Sequence, residues 1–198
     1  MPELPDVQVF KEYLDATSLH QQITDVEVRR DDMLEGLSSR SLQRRLRDAS
    51  LESTQRHGKY LFVEVGDDGW LVMHFGMTGY LDYARTGHPP THTRVLLRFD
   101  NGAHLAYVSQ RLLGSIHWSE TPGAFVERHQ LGIDGLDDDL DTRRFQQLMD
   151  SKRGTIKSAL MDQQTIAGLG NVYSDEILFQ ARVHPKAAVS SLDRDTLK

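Results

Sequence analysis

The chain has 198 residues, 23 of them Lys or Arg and 29 Asp or Glu, for a net charge of −6; that length supports one large or two small domains with a sizeable core. An acidic balance excludes a polyanion grip spread over the whole surface, so any such contact must be local, and the segment 151–198, with 7 basic and 5 acidic residues, is the better place for it. No cysteine is present, which rules out disulfides and thiolate metal sites within the chain; no stretch approaches the ~18 apolar residues of a membrane span and no signal-peptide pattern opens the sequence, so a soluble cytoplasmic protein is expected.

Met1 is followed by Pro2, and a small second residue favours removal of the initiator Met. Pro2 would then carry a free secondary amine, which titrates near ~7.7–8 and is partly uncharged at neutral pH. Such an amine can attack a sugar or carbonyl carbon and form an iminium, and Glu3 places a carboxyl group beside it. The plainer alternative is an ordinary frayed N-terminus. Pro5 suits the first turn of a helix, with Val7, Phe10 and Leu14 repeating on one face through about Ala16. Ile23–Val28 reads as a strand of mixed alternation. Residues 31–50 are charged, and Leu42 with Leu46 reads as a turn or strand edge.

From Tyr60 the signal sharpens. Tyr60–Val65, a turn at Gly66–Gly69 and Trp70–Phe75 form one hairpin. Val95–Phe99 and His104–Val108, joined through Asn101-Gly102, form a second, and Gly114–Trp118 adds a short strand. Arg85–Thr91 is an exposed loop. After Glu120 the pattern becomes helical: Phe145, Leu148 and Met149 mark one helix, Ile156, Ala159, Leu160 and Gln163 a second, and Val172, Ile177, Leu178 and Ala181 a third, ended by His184-Pro185. The expected fold is α+β in two domains. A β-sandwich with a short N-terminal helix covers residues 1–125, an acidic linker 126–140, and a helical domain 141–198.

Chemistry can sit at a few places. Gly168-Leu169-Gly170-Asn171 at a helix start offers close backbone approach and free N–H groups for a phosphate, although a Gly-containing turn between packed helices explains it as well. Lys152, Arg153 and Lys157 add positive charge there or simply form a solvated face. Lys59, beside Gly58 at a strand start, can reach a ligand or be solvated. The nine histidines show no metal spacing. Tyr107, Trp118 and Phe75 are core positions.

Four spaced motifs are more specific together than any one alone. Pro2-Glu3-Leu4-Pro5-Asp6-Val7, His57-Gly58-Lys59-Tyr60-Leu61, His74-Phe75-Gly76-Met77-Thr78-Gly79 and Ile166–Glu176, in that order, resemble the formamidopyrimidine-DNA glycosylase family of base-excision repair enzymes. The match runs over essentially the whole chain, and the opening Leu-Pro resembles the branch acting on oxidised purines more than the endonuclease VIII branch. The resemblance implies a β-sandwich followed by a helix–two-turn–helix module. It implies that Pro2 attacks C1′ of the damaged nucleotide with Glu3 as general acid/base, and that an iminium forms and β- then δ-elimination cuts the strand. Lys59 and Asn171, with Gly170 beside it, match residues holding the phosphates that flank the flipped nucleotide, and Lys157 matches another basic residue of the site. Flipping costs a few kcal/mol, offset in the family by side chains that fill the vacated stack; Met77 and Arg111 match two of these and Leu113 stands at the third. The implied partner is damaged double-stranded DNA, met by a monomer at a prokaryotic-type nucleoid.

The chain departs from the family pattern in places. The loop that usually reads Asp-Pro-Arg-Arg-Phe-Gly is here Ser109-Gln110-Arg111-Leu112-Leu113-Gly114, so an aliphatic Leu113 replaces an aromatic wedge. Asp6 shortens the usual Glu. Family members continue into a zinc finger built on four cysteines, so a zinc ion is expected of a full-length member and no cofactor of this chain, which reads as a truncated form with Ser190–Arg194 as a helix start. Two other readings remain: a non-catalytic DNA-binding relative, and a tautomerase, which also uses an N-terminal proline but is built from much shorter units.

Overall fold

A computed structural model describes residues 1–197; Lys198, the last residue of the expected helical domain, lies outside the described residues. The chain divides into two compact units, Met1–Phe125 and Val126–Lys198.

The first unit begins with α1 (Leu4–Thr17), which buries Leu4, Val7 and Leu14 and packs against β2, β3 and β5 (Leu51–His57, Tyr60–Val65 and Tyr80–Ala84). Polar ties reinforce that seat: Arg56 donates to Gln8 at 3.2 Å, Thr54 to Asp15, and the Tyr83 N–H to the Tyr13 hydroxyl at 2.8 Å. With β1 (Ile23–Val28), β4 (Gly69–His74), β6 (Thr93–Phe99), β7 (His104–Val108) and β8 (Ser115–Ser119), the strands form two antiparallel four-stranded sheets, ordered β1-β6-β7-β5 and β2-β3-β4-β8. Period-two alternation sends Val26, Leu61, Val63, Leu71, Met73, Val95, Leu97, Leu105 and Tyr107 into one shared core. The opposite face of the second sheet, at Tyr60, Phe62 and His117, meets the ring of Phe125 on α3 (Pro122–Arg128).

The stretch expected as a turn or strand edge is instead helix α2 (Ser39–Leu46). Ser38 caps it by accepting the Ser41 N–H, and Leu42 and Leu46, one turn apart, are both buried. The charges that obscured it, Arg40, Arg44 and Arg45, occupy the remaining faces.

The second unit holds β9 (Ile133–Asp134), α4 (Thr142–Asp150), α5 (Ile156–Leu160), β10 (Ile166–Ala167) and α6 (Asn171–Gln180). The segment 126–140, read as an acidic linker, contains β9, which pairs in parallel with β10. Asp141 caps α4 and Thr155 caps α5. Met149, Ile156, Leu160, Ile166 and Leu178 form this unit's own core. The expected helix start at Ser190–Arg194 is a short 3-10 turn, Val189–Ser191. No helix among the described residues is long and apolar enough to cross a membrane.

Candidate active site

Glu3 is the N-cap residue of α1 and only 2% exposed. Its backbone N–H donates to the Asp6 carboxylate at 2.8 Å, so the shortened acid of the opening motif closes the first helical turn and orients the residues before it. Pro2 precedes Glu3 and is partly exposed. Because Phe10 on the same helix meets Phe75 with ring centroids 4.5 Å apart, the N-terminus is held on a packed helix rather than a free tail.

The turn Gly58-Lys59 joins β2 to β3, with His57 paired to Tyr60 across it. Lys59 is 8% exposed. Burial lowers its pKa, and the negative charge of Glu3 opposes that shift. Lys59 and Glu3 therefore share one electrostatic environment, which also contains His74 at the end of β4. Burial foremost, then the charge of Lys59, push His74 down to about 4, so it is a neutral imidazole near neutral pH. Its Nδ1 accepts the Gly76 N–H at 3.3 Å, and its ring lies 5.0 Å from that of Tyr60.

Three loops meet at one end of the β1-β6-β7-β5 sheet, where β5 and β6 begin and β7 ends. Met77, 41% exposed, stands in the β4–β5 loop, and Leu113, 53% exposed, in the β7–β8 loop. Arg111, also exposed, donates its backbone N–H to Thr78 at 3.3 Å. The β5–β6 loop is bound to the same place: the Ser109 N–H donates to the His92 carbonyl at 3.1 Å, and Arg94 Nε donates to the Ser109 carbonyl at 2.6 Å. The structure thus brings Met77, Arg111 and Leu113 together on interlocked loops. It adds His92, which the sequence offered only as a histidine without metal spacing, and Arg94, which it did not single out; the signal was a pair of basic residues flanking a strand start.

In the second unit, Gly170 is the N-cap residue of α6 and Asn171 its first, exposed residue. The loop before them is braced from within by Gln163, whose amide donates to the Leu169 carbonyl at 2.8 Å and accepts the Gly168 N–H at 3.0 Å. Gln163 was expected on a helix face; α5 ends before it. Lys157 meets both carboxylate oxygens of Asp175, at 2.7 and 2.8 Å, and Lys152 pairs with Asp162 at 2.9 Å. Without cysteine, and with no cluster of three or more His, Asp or Glu able to hold a metal among the described residues, the residues present do not fit a four-cysteine zinc site.

Comparison with known proteins agrees with both units. Residues 1–116 match the model of the formamidopyrimidine-DNA glycosylase N-terminal domain, and residues 131–198 that of the formamidopyrimidine-DNA glycosylase H2TH domain. The formamidopyrimidine-DNA glycosylase of Synechocystis is 37% identical over 95% of this chain and 70% of its own length. That of Corynebacterium jeikeium is 31% identical over 100% of this chain and 74% of its own. Among solved structures, the Lactococcus lactis enzyme in complex with DNA containing N7-benzyl-Fapy-dG superposes with a TM-score of 0.92 at 28% identity, covering 99% of this chain and 73% of that one. The same enzyme bound to DNA containing an abasic site gives 0.91 at 27%, covering 98% and 72%. By matched domains and by relatives aligned over nearly its whole length, the chain belongs to the formamidopyrimidine-DNA glycosylase family.

Proposed function

We propose that this chain is a bifunctional DNA glycosylase and abasic-site lyase that removes oxidised purines, 8-oxoguanine and formamidopyrimidines, from damaged double-stranded DNA. The observation that carries the reading is the desolvated Lys59 beside the buried Glu3 at the capped start of α1. With Met1 attached the Pro2 nitrogen is an amide and cannot attack, so the reading requires Met1 to be removed. The freed amine adds to C1′, the glycosidic bond breaks, and the base departs with the bonding pair and takes up a proton. Glu3 takes the proton that the amine loses and passes it to the ring oxygen, whose expulsion leaves the iminium. Loss of a C2′ proton then releases the 3′ phosphate, loss of a C4′ proton the 5′ phosphate, and water frees the amine. Lys59, made a better proton donor by its lowered pKa, serves a departing phosphate oxygen.

The remaining residues supply grip and wedge. Met77, Leu113 and Arg111 fill the stack left by the flipped nucleotide, while Lys157, Gly170 and Asn171 hold backbone phosphates. One set of these residues suffices for one lesion, so we take the chain to act as a monomer, in the cytoplasm at the nucleoid. The test is borohydride trapping at low salt on duplex DNA carrying 8-oxoguanine or an abasic site. A covalent adduct is expected with the parent and none with Pro2→Gly. Binding to the abasic duplex without any adduct would overturn the catalytic reading.

A further inference from the structure

Two glycines show how closely the wedge loops are locked. A Cβ at Gly76 would collide with the Leu113 carbonyl and lie 2.5 Å from the Gly114 nitrogen, and one at Gly114 would collide with the Tyr107 hydroxyl and lie 2.6 Å from the His74 carbonyl oxygen. Only backbone without a side chain fits at either place. The β4–β5 and β7–β8 loops therefore touch main chain to main chain, and the Tyr107 hydroxyl lies at the seam.

Tyr107 is 3% exposed on the inner face of β7. Its ring is stacked on Phe75, centroids 5.6 Å apart. Its hydroxyl donates to the His74 carbonyl at 2.7 Å, at the residue from which the Met77 loop departs. The chain then runs from Tyr107 through Ser109 into the loop of Arg111 and Leu113. One phenol thus ties the root of one wedge loop to the strand that launches the other.

Resting on the function proposed above, we infer that Tyr107 is a positioning residue that sets Met77 and Leu113 at a fixed separation, so that both enter the stack while the nucleotide is flipped. Wedge geometry matters only where a base must be extruded from a duplex. A single strand with an abasic site needs the Pro2 amine but no wedge. Loss of the hydroxyl frees the two loops to drift apart without touching Pro2, Glu3 or Lys59.

The experiment compares the parent, Tyr107→Phe and Thr78→Val on two substrates, with thermal melts of each protein. One substrate is a duplex with 8-oxoguanine opposite cytosine; the other is a single strand with a preformed abasic site. Fluorescence of 2-aminopurine beside a stable abasic analogue in duplex DNA reports unstacking by the wedge directly. Tyr107→Phe should lose about tenfold in duplex excision, the scale of one buried hydrogen bond, and show a weaker 2-aminopurine signal, with single-strand cleavage unchanged. Thr78→Val removes the acceptor of the Arg111 N–H without altering the core, so it carries the same test should Tyr107→Phe fold poorly. A parental duplex-to-single-strand ratio in the folded variants would overturn the inference. Failure of the parent on both substrates would instead sink the catalytic reading, leaving the 2-aminopurine signal to decide the role of Tyr107.

Discussion

Lys59 in the first unit and Lys157 in the second are both read as cations for DNA phosphates, and the fold treats their charges in opposite ways. Lys59 is buried, 8% exposed, with a pKa that burial lowers and the charge of Glu3 opposes. Lys157 is held by both oxygens of Asp175, with its side chain 23% exposed. Desolvation that the charge of Glu3 offsets only in part makes an ammonium a readier proton donor at a cost in stability. Pairing at a half-open site reduces what an ammonium offers to an incoming phosphate. The first arrangement suits chemistry and the second suits a grip that can be exchanged.

The sharpest way to break this comparison is Lys59→Met, which keeps the aliphatic stem and removes the ammonium. Excision and lyase rates should fall by about 10²–10⁴-fold, the usual range for a general acid or base. Stability should move the other way. Because the folded pKa lies below the ordinary 10.5, the unfolded chain binds more protons between those two values. Parent stability therefore rises with pH across that window. The variant lacks this dependence, and its Tm near neutral pH should exceed the parent's by roughly 2–4 °C. A lower Tm in a folded variant would show that Lys59 is a structural cation.

His74 lends the same neighbourhood a second signature. Its pKa falls from 6.5 to about 4, by burial first and then by the charges of Lys59 and His117, with Glu35 opposing. Below 6.5 the unfolded chain takes up a proton that the folded chain refuses, so this stability is present above pH 6.5 and lost as pH falls to about 4. The difference is on the order of 3 kcal/mol. His74→Asn retains an oxygen to accept the Gly76 N–H but does not titrate. Denaturant titrations at about pH 4.5 and 7 should show a smaller acid loss in the variant than in the parent; an equal loss would place the acid sensitivity elsewhere.

What was legible in the sequence divides along the same line between local and long-range. The hairpin of Tyr60–Val65 with Trp70–Phe75 was plain because burial on both faces makes each strand a near-continuous apolar run, with a glycine turn between them. The strands β2 and β5 passed unread; both are edge strands, and apart from Leu51 the former is the polar run Glu52–His57, seated on α1 by Thr54 and Arg56. Residues at the candidate site were visible where chemistry and chain neighbourhood coincide, as in Pro2-Glu3 and Gly58-Lys59. The contacts of Tyr107 with His74 and Gly114, and of Gln163 with the loop before Asn171, were not, since each joins residues that only the folded backbone brings together.

The smallest expected effect lies in the second unit and tests whether the Asp175 pairing tempers the grip. A phosphate that takes Lys157 must share or displace the carboxylate, so fewer counterions are released than the basic residues alone would give. Asp175→Asn removes that competition and raises the net charge from −6 to −5. In salt titrations against an abasic-analogue duplex, the slope of log K with log salt should become more negative by about 0.9, one further phosphate contact, with affinity at low salt rising a few-fold. Stability should change by no more than ~1 kcal/mol, because a half-exposed pair contributes little. Weaker binding with an unaltered slope would mean that Asp175 aims Lys157 at its phosphate rather than competing for it, and the second unit's lysine would then be as preorganised as the first's.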